Sequence, residues 1–374
     1  MKFSKIIVGF GAVVLLAIIL LLTLGCPPKG AEEIRIGAVL PLTGSSAQYG
    51  IWIKEALELY KDEVNAKGGI NGKHLAIIYE DDQADPRVAT NVMQELITLY
   101  KVPVVYGSWA SSCVLAQAPI AEKAKTVLMG EAISPKIRDA GDYTFRMQPD
   151  ARYYIQQLVP FVFNNLKVRK VAILYVNNDF GSDQARVFAD EFTKLGGKIL
   201  SSNGYEQSAA DFKTDLTKIK SEKPEAVFVP GYTELAVILK QAKELGLAHQ
   251  FLASVPFENP QIVQAAGNAA EGVIYPHHFD SDATNPLAKI YQETYQKRYG
   301  RQSEGFAALA YDGLRIIVDV MKRIGSNATN IKEELYKIKD FPGVTGPTTF
   351  DDHGDVIKPI IMKTVKNRTF IAYR

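Results

Sequence analysis

The chain is short of cysteine, histidine and net charge, and each shortage removes a class of function. Its 374 residues include only Cys26 and Cys113. If Cys26 is acylated or removed with a leader, Cys113 has no partner, so disulfides do not hold the fold together and a packed core must. Cys113 then reads as a small buried hydrophobe rather than a reactive thiol. Lys and Arg number 43 against 41 Asp and Glu. No basic block interleaves with aromatics, so nucleic acid is not an expected partner. The histidines His74, His249, His277, His278 and His353 have no metal-ligand spacing, and His277 and His278 on a strand would point to opposite faces.

Catalytic signatures are missing too. No Gly-x-Ser-x-Gly elbow occurs, and Gly9-x-Gly11 lies in the N-terminal apolar run, which removes hydrolase and dinucleotide-binding readings. Gly68 to Lys73 has too short a spacing for a phosphate loop, and Lys73 precedes His74 rather than Ser or Thr, so it reads as a turn. Asp81-Asp82 and Asp351-Asp352 read as turn or hinge residues. The sequence argues against an enzyme and implies no cofactor and no metal.

What is present begins with Lys2 and Lys5, an uncharged run from Ile6 to Gly25, and Cys26. A positive start, an apolar stretch and a small residue before a processing point are what an export signal requires. Residues 1–26 therefore read as export signal or anchor, and 27–32 as a linker. Two anchors stay open. Thr23-Leu24-Gly25-Cys26 is an imperfect lipobox that makes Cys26 a lipid attachment site, while a run of roughly 20 apolar residues is long enough to cross a bilayer uncleaved. Either tethers a globular domain outside the membrane.

From residue 33 onward, apolar strand-like runs alternate with amphipathic helical stretches. Strands are expected at 34–40, 74–80, 102–106, 126–129, 171–176, 198–203, 226–230, 251–253 and 272–275. Helices are expected between them and at 288–299 and 305–324. Such alternation gives an α/β fold of parallel sheets covered by helices, with ligands beyond the carboxyl ends of the strands. Two sheets are expected, the chain passing from one set of βα units to the next near Met147 to Ala151. The tail reads as strand-like at 343–350 and 356–373, with Asp351 to Asp355 as a polar turn.

Several segments, in order, carry a resemblance. They are Pro41-Leu42-Thr43-Gly44 with Ala47-Gln48-Tyr49-Gly50, Asn65 through Lys73, Tyr79-Glu80-Asp81-Asp82, Asp85-Pro86, Gly343-Val344-Thr345-Gly346, and Phe350-Asp351. Together they resemble the leucine/isoleucine/valine-binding type of periplasmic binding protein, over essentially everything after residue 33. The resemblance implies a two-lobed type I fold with three hinge crossings, one lobe from 33–148 and 278–350, the other from 149–277 and 351–374. It also implies a monomer that closes around a small ligand and delivers it to an ABC permease.

The residues fit that role, because a binding protein needs backbone N–H groups, a few hydroxyls and apolar walls. Ser111 and Ser112 open a helix whose free N–H groups suit a carboxylate, although a plain N-cap explains them as well. By the resemblance, Ser111 is the carboxylate-binding serine, Ala132 the residue whose carbonyl accepts from an ammonium, and Ser134 the family's threonine. A register anchored on Pro135 instead puts Ile133 in that last place. Tyr49, Phe180 and Tyr232 match aromatic positions of the cleft, and Trp109 either caps the apolar end of the ligand or packs between loops. The family's ammonium-binding acid falls on Val255. Burying an ammonium without a counter-charge is costly, so either Glu258 or Glu131 substitutes or the ligand has no ammonium. The same module could instead present its solute to a membrane sensor, and nothing in the residues separates transport from sensing.

Overall fold

The computed structural model describes residues 33–207, 209–279 and 285–373. The apolar run and Cys26 lie outside the described residues. The first sheet contains β1 (Glu33–Leu40), β2 (His74–Asp81), β3 (Val104–Tyr106), β4 (Val127–Gly130) and β5 (Thr144–Arg146). These are all parallel, in the order β2-β1-β3-β4-β5. Between them run α1 (Ala47–Ala66), α2 (Pro86–Thr98) and α3 (Ser111–Ala124). The chain then continues through α4 (Ala151–Pro160) into a second set of units. These are β6 (Lys170–Val176), α5 (Asp179–Lys194), β7 (Lys198–Tyr205), α6 (Lys213–Glu222), β8 (Ala226–Val229), α7 (Leu235–Glu244), β9 (Gln250–Ala253), α8 (Pro260–Ala266) and β10 (Ile274–His277). Helices α9 (Pro286–Tyr299), α10 (Gly305–Ile324) and α11 (Ala328–Leu335) follow, then the short hairpin β11 (Thr349–Phe350) and β12 (Val356–Ile357). Finally β13 (Ile361–Lys366) and β14 (Thr369–Ala372) join the second sheet antiparallel, in the order β14-β13-β10-β9-β8-β6-β7.

Central strands β3, β4 and β8 read Val-Val-Tyr, Val-Leu-Met-Gly and Ala-Val-Phe-Val and are buried throughout, as strands covered by helices on both faces must be. Edge strands β2 and β7 are only partly buried. The late helices return to the first sheet's layer: α10 packs along α1, where the Tyr311 hydroxyl donates to Glu63, and the Tyr299 hydroxyl donates to the Glu55 carbonyl at 2.8 Å.

Two glycines fix how helices meet strands. A Cβ on Gly50 in α1 would lie 2.0 Å from the Pro41 carbonyl oxygen, and one on Gly181 in α5 would lie 2.0 Å from that of Val176. In both sheets a first helix is rooted directly on the carboxyl end of a strand, at an approach no side chain permits. Residues of the adjoining loops and helix starts are thereby aimed at the other sheet.

One strand was not expected, and two expectations need correction. The strand β5 carries no apolar run that marks it. The segment 343–350 is strand only at Thr349–Phe350. Before that it is a loop wrapped on the buried Asp312 carboxylate, which accepts from Val344 N at 2.8 Å, Thr345 N at 2.9 Å and the Thr345 hydroxyl at 2.7 Å. His277 and His278 do not point to opposite faces either. β10 ends at His277, and the two buried rings stack with centroids 4.5 Å apart.

Arg146, fully buried at the end of β5, joins two of the segments along which the chain passes between the sheets. Its Nε donates to Asp355 Oδ1 at 2.5 Å, its Nη2 to Asp150 Oδ2 at 2.9 Å and its Nη1 to the Ser134 carbonyl at 2.9 Å. All three partners accept, so the guanidinium fork is matched by two carboxylates and a carbonyl.

Candidate functional site

The carboxyl ends of strands from both sheets face one another across a small cavity. Trp109 and Ser111 follow β3, Glu131 and Ile133 follow β4, and Gln148 follows β5, all on the first-sheet side. Phe180 follows β6, Tyr232 follows β8 and Pro256 follows β9, on the second, with Phe306 entering from the first turn of α10. Their enclosed volume is about 10 Å³, room for roughly one water. A ligand of amino-acid size therefore enters only when the two sides part.

The walls are mainly aromatic and form a continuous column. Trp109 stacks on Tyr49 at 4.2 Å between ring centroids, reaches Tyr232 at 5.0 Å, and Tyr232 stacks on Phe180 at 4.7 Å. Tyr49 stands behind Trp109, and its hydroxyl donates to the Pro256 carbonyl at 2.8 Å, from α1 to the loop after β9. Other bonds cross the same seam. The Ser134 hydroxyl donates to the buried Asp183 of α5, Lys136 Nζ to Asp179 Oδ1 at 2.7 Å, and Gln261 Nε2 to Gln48 Oε1 at 2.8 Å.

The polar corner is built from α3 and the segment after β4. Ala110, which caps α3, offers no side-chain acceptor, and the first intrahelical bond is Val114 N to Ala110 O. The N–H groups of the preceding turn point out of the helix end. The Ser111 hydroxyl accepts from Ser134 N at 3.2 Å. Glu131, 1 % exposed, accepts from the Tyr106 hydroxyl through Oε1 at 2.6 Å, while its Oε2 has no hydrogen-bond partner. Nor has Nε2 of Gln148, 2 % exposed. Burial pushes the Glu131 carboxyl well above the usual carboxylate range.

Of the residues singled out from the sequence, Trp109, Ser111, Phe180 and Tyr232 line this cavity, as do the two alternatives Glu131 and Ile133. Tyr49 supports it from behind. Ser112 is only partly buried on the first turn of α3, Ala132 packs into the core between α3 and β4, and Val255 is fully buried, none of them in the lining. The hydroxyl of Ser134 is engaged with Asp183. Glu258, a candidate counter-charge for an ammonium, is buried and accepts from Lys363 Nζ at 2.7 Å and from the Tyr275 hydroxyl at 2.7 Å, outside the lining. Gln148, Pro256 and Phe306 were not legible as site residues. Gln148 follows the unmarked β5, and Phe306 follows a helix start some 50 residues from the nearest cavity element. Cys113 is fully buried, and burial pushes its thiol up.

Glu304 caps α10, accepting from Phe306 N at 2.7 Å and Ala307 N at 2.9 Å, yet burial pushes its carboxyl up to about 8. The sign of its effect on stability follows. Between the ordinary value near 4.5 and about 8 the unfolded chain has lost this proton and the native one keeps it, so stability falls as pH rises through that window. Glu304→Gln is expected to flatten the slope of unfolding free energy between pH 5 and 8, measured by urea titration at several pH values. An unchanged slope would mean that the carboxyl is already ionised.

Among the described residues no helix is long and apolar enough to cross a membrane, and no group of three His, Cys, Asp or Glu side chains is placed to hold a metal ion.

Two α/β bodies whose strand ends meet around one small enclosed space define a protein that clasps a solute. The chain belongs to the periplasmic binding protein family, whose model matches residues 33–369. It is 29% identical over 347 residues to the Leu/Ile/Val-binding protein homolog 2 of Brucella abortus, covering 88% of this chain and 90% of that one. It is 26% identical over 335 residues to the Leu/Ile/Val-binding protein of Escherichia coli, covering 87% and 89%. Among solved structures it is similar to a leucine binding protein of Thermotoga maritima, with a TM-score of 0.87, 27% identity and coverage of 91% and 98%. It is also similar to the branched-chain amino acid transporter substrate binding protein of Streptococcus pneumoniae in complex with isoleucine, with a TM-score of 0.86, 29% identity and coverage of 91% and 99%. The family is one of substrate-binding proteins rather than enzymes, and it works outside the cytoplasm.

Proposed function

We propose that this chain binds one small amino-acid-like solute between two lobes, 33–148 with 278–350 and 149–277 with 351–374, and delivers it unchanged to an ABC permease. The observation that carries this reading is the cavity itself. Its aromatic walls come from both sheets, its polar groups gather in one corner, and no nucleophile and base within it are paired for chemistry. The relatives named for leucine, isoleucine and valine support the solute class. Parting of the seam admits the solute, and closure presents a loaded surface to the membrane partner. The protein acts as a monomer, held at the membrane by lipid on Cys26 or by the apolar run before it.

The test is calorimetric titration of the full chain in detergent with branched-chain amino acids, after unfolding and refolding to strip carried-over solute. Ser111→Ala and Tyr232→Ala are each expected to weaken binding about tenfold, a loss of roughly 1.4 kcal/mol. Unchanged affinity in both variants would sink the assignment of this cavity. Recovery of chemically altered solute after incubation would sink the transport reading itself.

A further inference from the structure

We propose that Glu131 is the counter-charge for a ligand ammonium, so that this receptor takes a zwitterionic amino acid although Val255 stands where an acid is expected. The inference rests on the solute-receptor reading above and specifies its ligand class.

Three positions compete for the role, only two of them carboxylates, and the structure separates them. Val255 has no charge and is fully buried in the turn after β9, where the neighbouring Pro256 faces the cavity. Glu258 is already neutralised: its two oxygens accept from Lys363 and the Tyr275 hydroxyl, and it does not reach the lining. Glu131 does reach it, with one oxygen engaged by the Tyr106 hydroxyl and the other carrying no hydrogen bond. The titratable groups that act on it are Tyr106 on β3 and Glu304 at the head of α10, while Tyr154 on α4 lies in the field of both it and Arg146. The Arg146 guanidinium is spent on Asp355, Asp150 and the Ser134 carbonyl, and no cation donates to Glu131 Oε2. A buried carboxylate oxygen with neither a donor nor a positive charge is costly to maintain, and a ligand that brings both removes the cost.

The other groups of the corner have the opposite preference. The N-terminal turn of α3 presents N–H groups beside Ser111, and Gln148 Nε2 is a second buried donor without an acceptor. Donors and partial positive charge at α3 suit a carboxylate, and the free acceptor at Glu131 suits an ammonium. An amino acid carries both within the span of one small cavity. A simple carboxylic acid satisfies the donors but leaves Glu131 unmatched. Because burial favours the protonated form of Glu131 in the free protein, an arriving ammonium favours the ionised form and drives off its proton. Affinity for an amino acid therefore rises with pH until Glu131 is ionised in the free protein, then levels off.

The experiment is calorimetric titration of the full chain in detergent with L-alanine, L-leucine, propanoate, 4-methylpentanoate and benzoate, in two buffers of different ionisation enthalpy. The inference expects an amino acid to bind with release of a proton, the deaminated acids to bind at least 30-fold more weakly, and Glu131→Gln to lose at least 30-fold in amino-acid affinity. Those factors correspond to about 2 kcal/mol, the lower end for removing one partner of a buried charge pair. Glu131→Asp, which keeps the charge, is expected to retain part of the affinity, and both variants are checked for an intact thermal transition without ligand. Tight binding of propanoate, 4-methylpentanoate or benzoate in preference to the amino acids overturns the inference and leaves the receptor reading standing. Amino-acid binding by Glu131→Gln within threefold of the parent, or without proton release in the parent, also overturns it. Failure of all five probes to bind the parent overturns both.

Discussion

Arg146→Met is expected to lower the unfolding free energy by about 3–5 kcal/mol, the range for breaking a buried ion pair from one side. The side chain is fully buried and its fork is spent on Asp355, Asp150 and the Ser134 carbonyl. Methionine fills much of the volume but leaves these acceptors without their donor. Both carboxylates keep a second cation: Arg138 donates to Asp355 at 3.0 Å and Arg152 to Asp150 at 2.8 Å. Those partners are more exposed and screened by solvent, so they offset only part of the loss. Urea unfolding of parent and variant at pH 7 measures the difference, and a change below about 1 kcal/mol would mean that Arg138 and Arg152 suffice. Pairing Arg146→Met with Asp355→Leu is expected to recover part of the stability, because one of the two buried carboxylates that lose the Arg146 donor is then gone.

Trp109→Ala is expected to weaken binding of whichever amino acid the parent binds by roughly 30-fold. In the aromatic column Trp109 is the ring that spans the seam, with Tyr49 on one side and Tyr232 on the other. A buried aromatic pair contributes about 0.5–1.5 kcal/mol beyond the area it buries. The pair with Tyr232, made across the seam, together with the ring area that a solute covers, gives a loss near 2 kcal/mol, or roughly 30-fold. On the closure reading, parting of the seam breaks the Trp109 to Tyr232 contact and leaves the stack on Tyr49, so the loss of affinity reports the first contact and the loss of unfolding free energy the second. Calorimetry and urea unfolding on the same preparation separate the two. A variant that keeps its affinity while losing stability would assign Trp109 to the core rather than to closure.

How far these features could be read from the sequence depended on whether their cause was local. Strands such as Val127–Gly130 and Ala226–Val229 are continuous apolar runs flanked by helical stretches, and their burial on both faces follows from composition alone. Strand β5 is Thr-Phe-Arg, and its arginine is inside only because Asp150 and Asp355 are there to receive it. No window of sequence contains that pairing. Glu258 failed in the same way: it was a candidate for the ammonium, and the partner that takes it instead, Lys363, arrives from 105 residues away. Trp109 and Ser111 were recoverable because they follow the end of a recognisable strand, whereas Phe180 and Tyr232 came from the resemblance to a family. What the sequence could not disclose about Glu131 was that one of its oxygens would be left without a partner. That depends on what every neighbouring element does not supply.

The rooting of α1 and α5 on their strands through Gly50 and Gly181 bears on how such a receptor can be retargeted. Each root is a contact between backbone atoms, so it constrains the angle of a helix but says nothing about the solute. A side chain in the loops just beyond, such as Ile133, can therefore be exchanged for a polar residue without altering how the helices meet their strands. Substitutions at the two glycines would do the reverse, tilting a helix and spoiling every ligand alike. A library intended to change what this protein recognises would hold those two positions fixed and vary the strand-end loops.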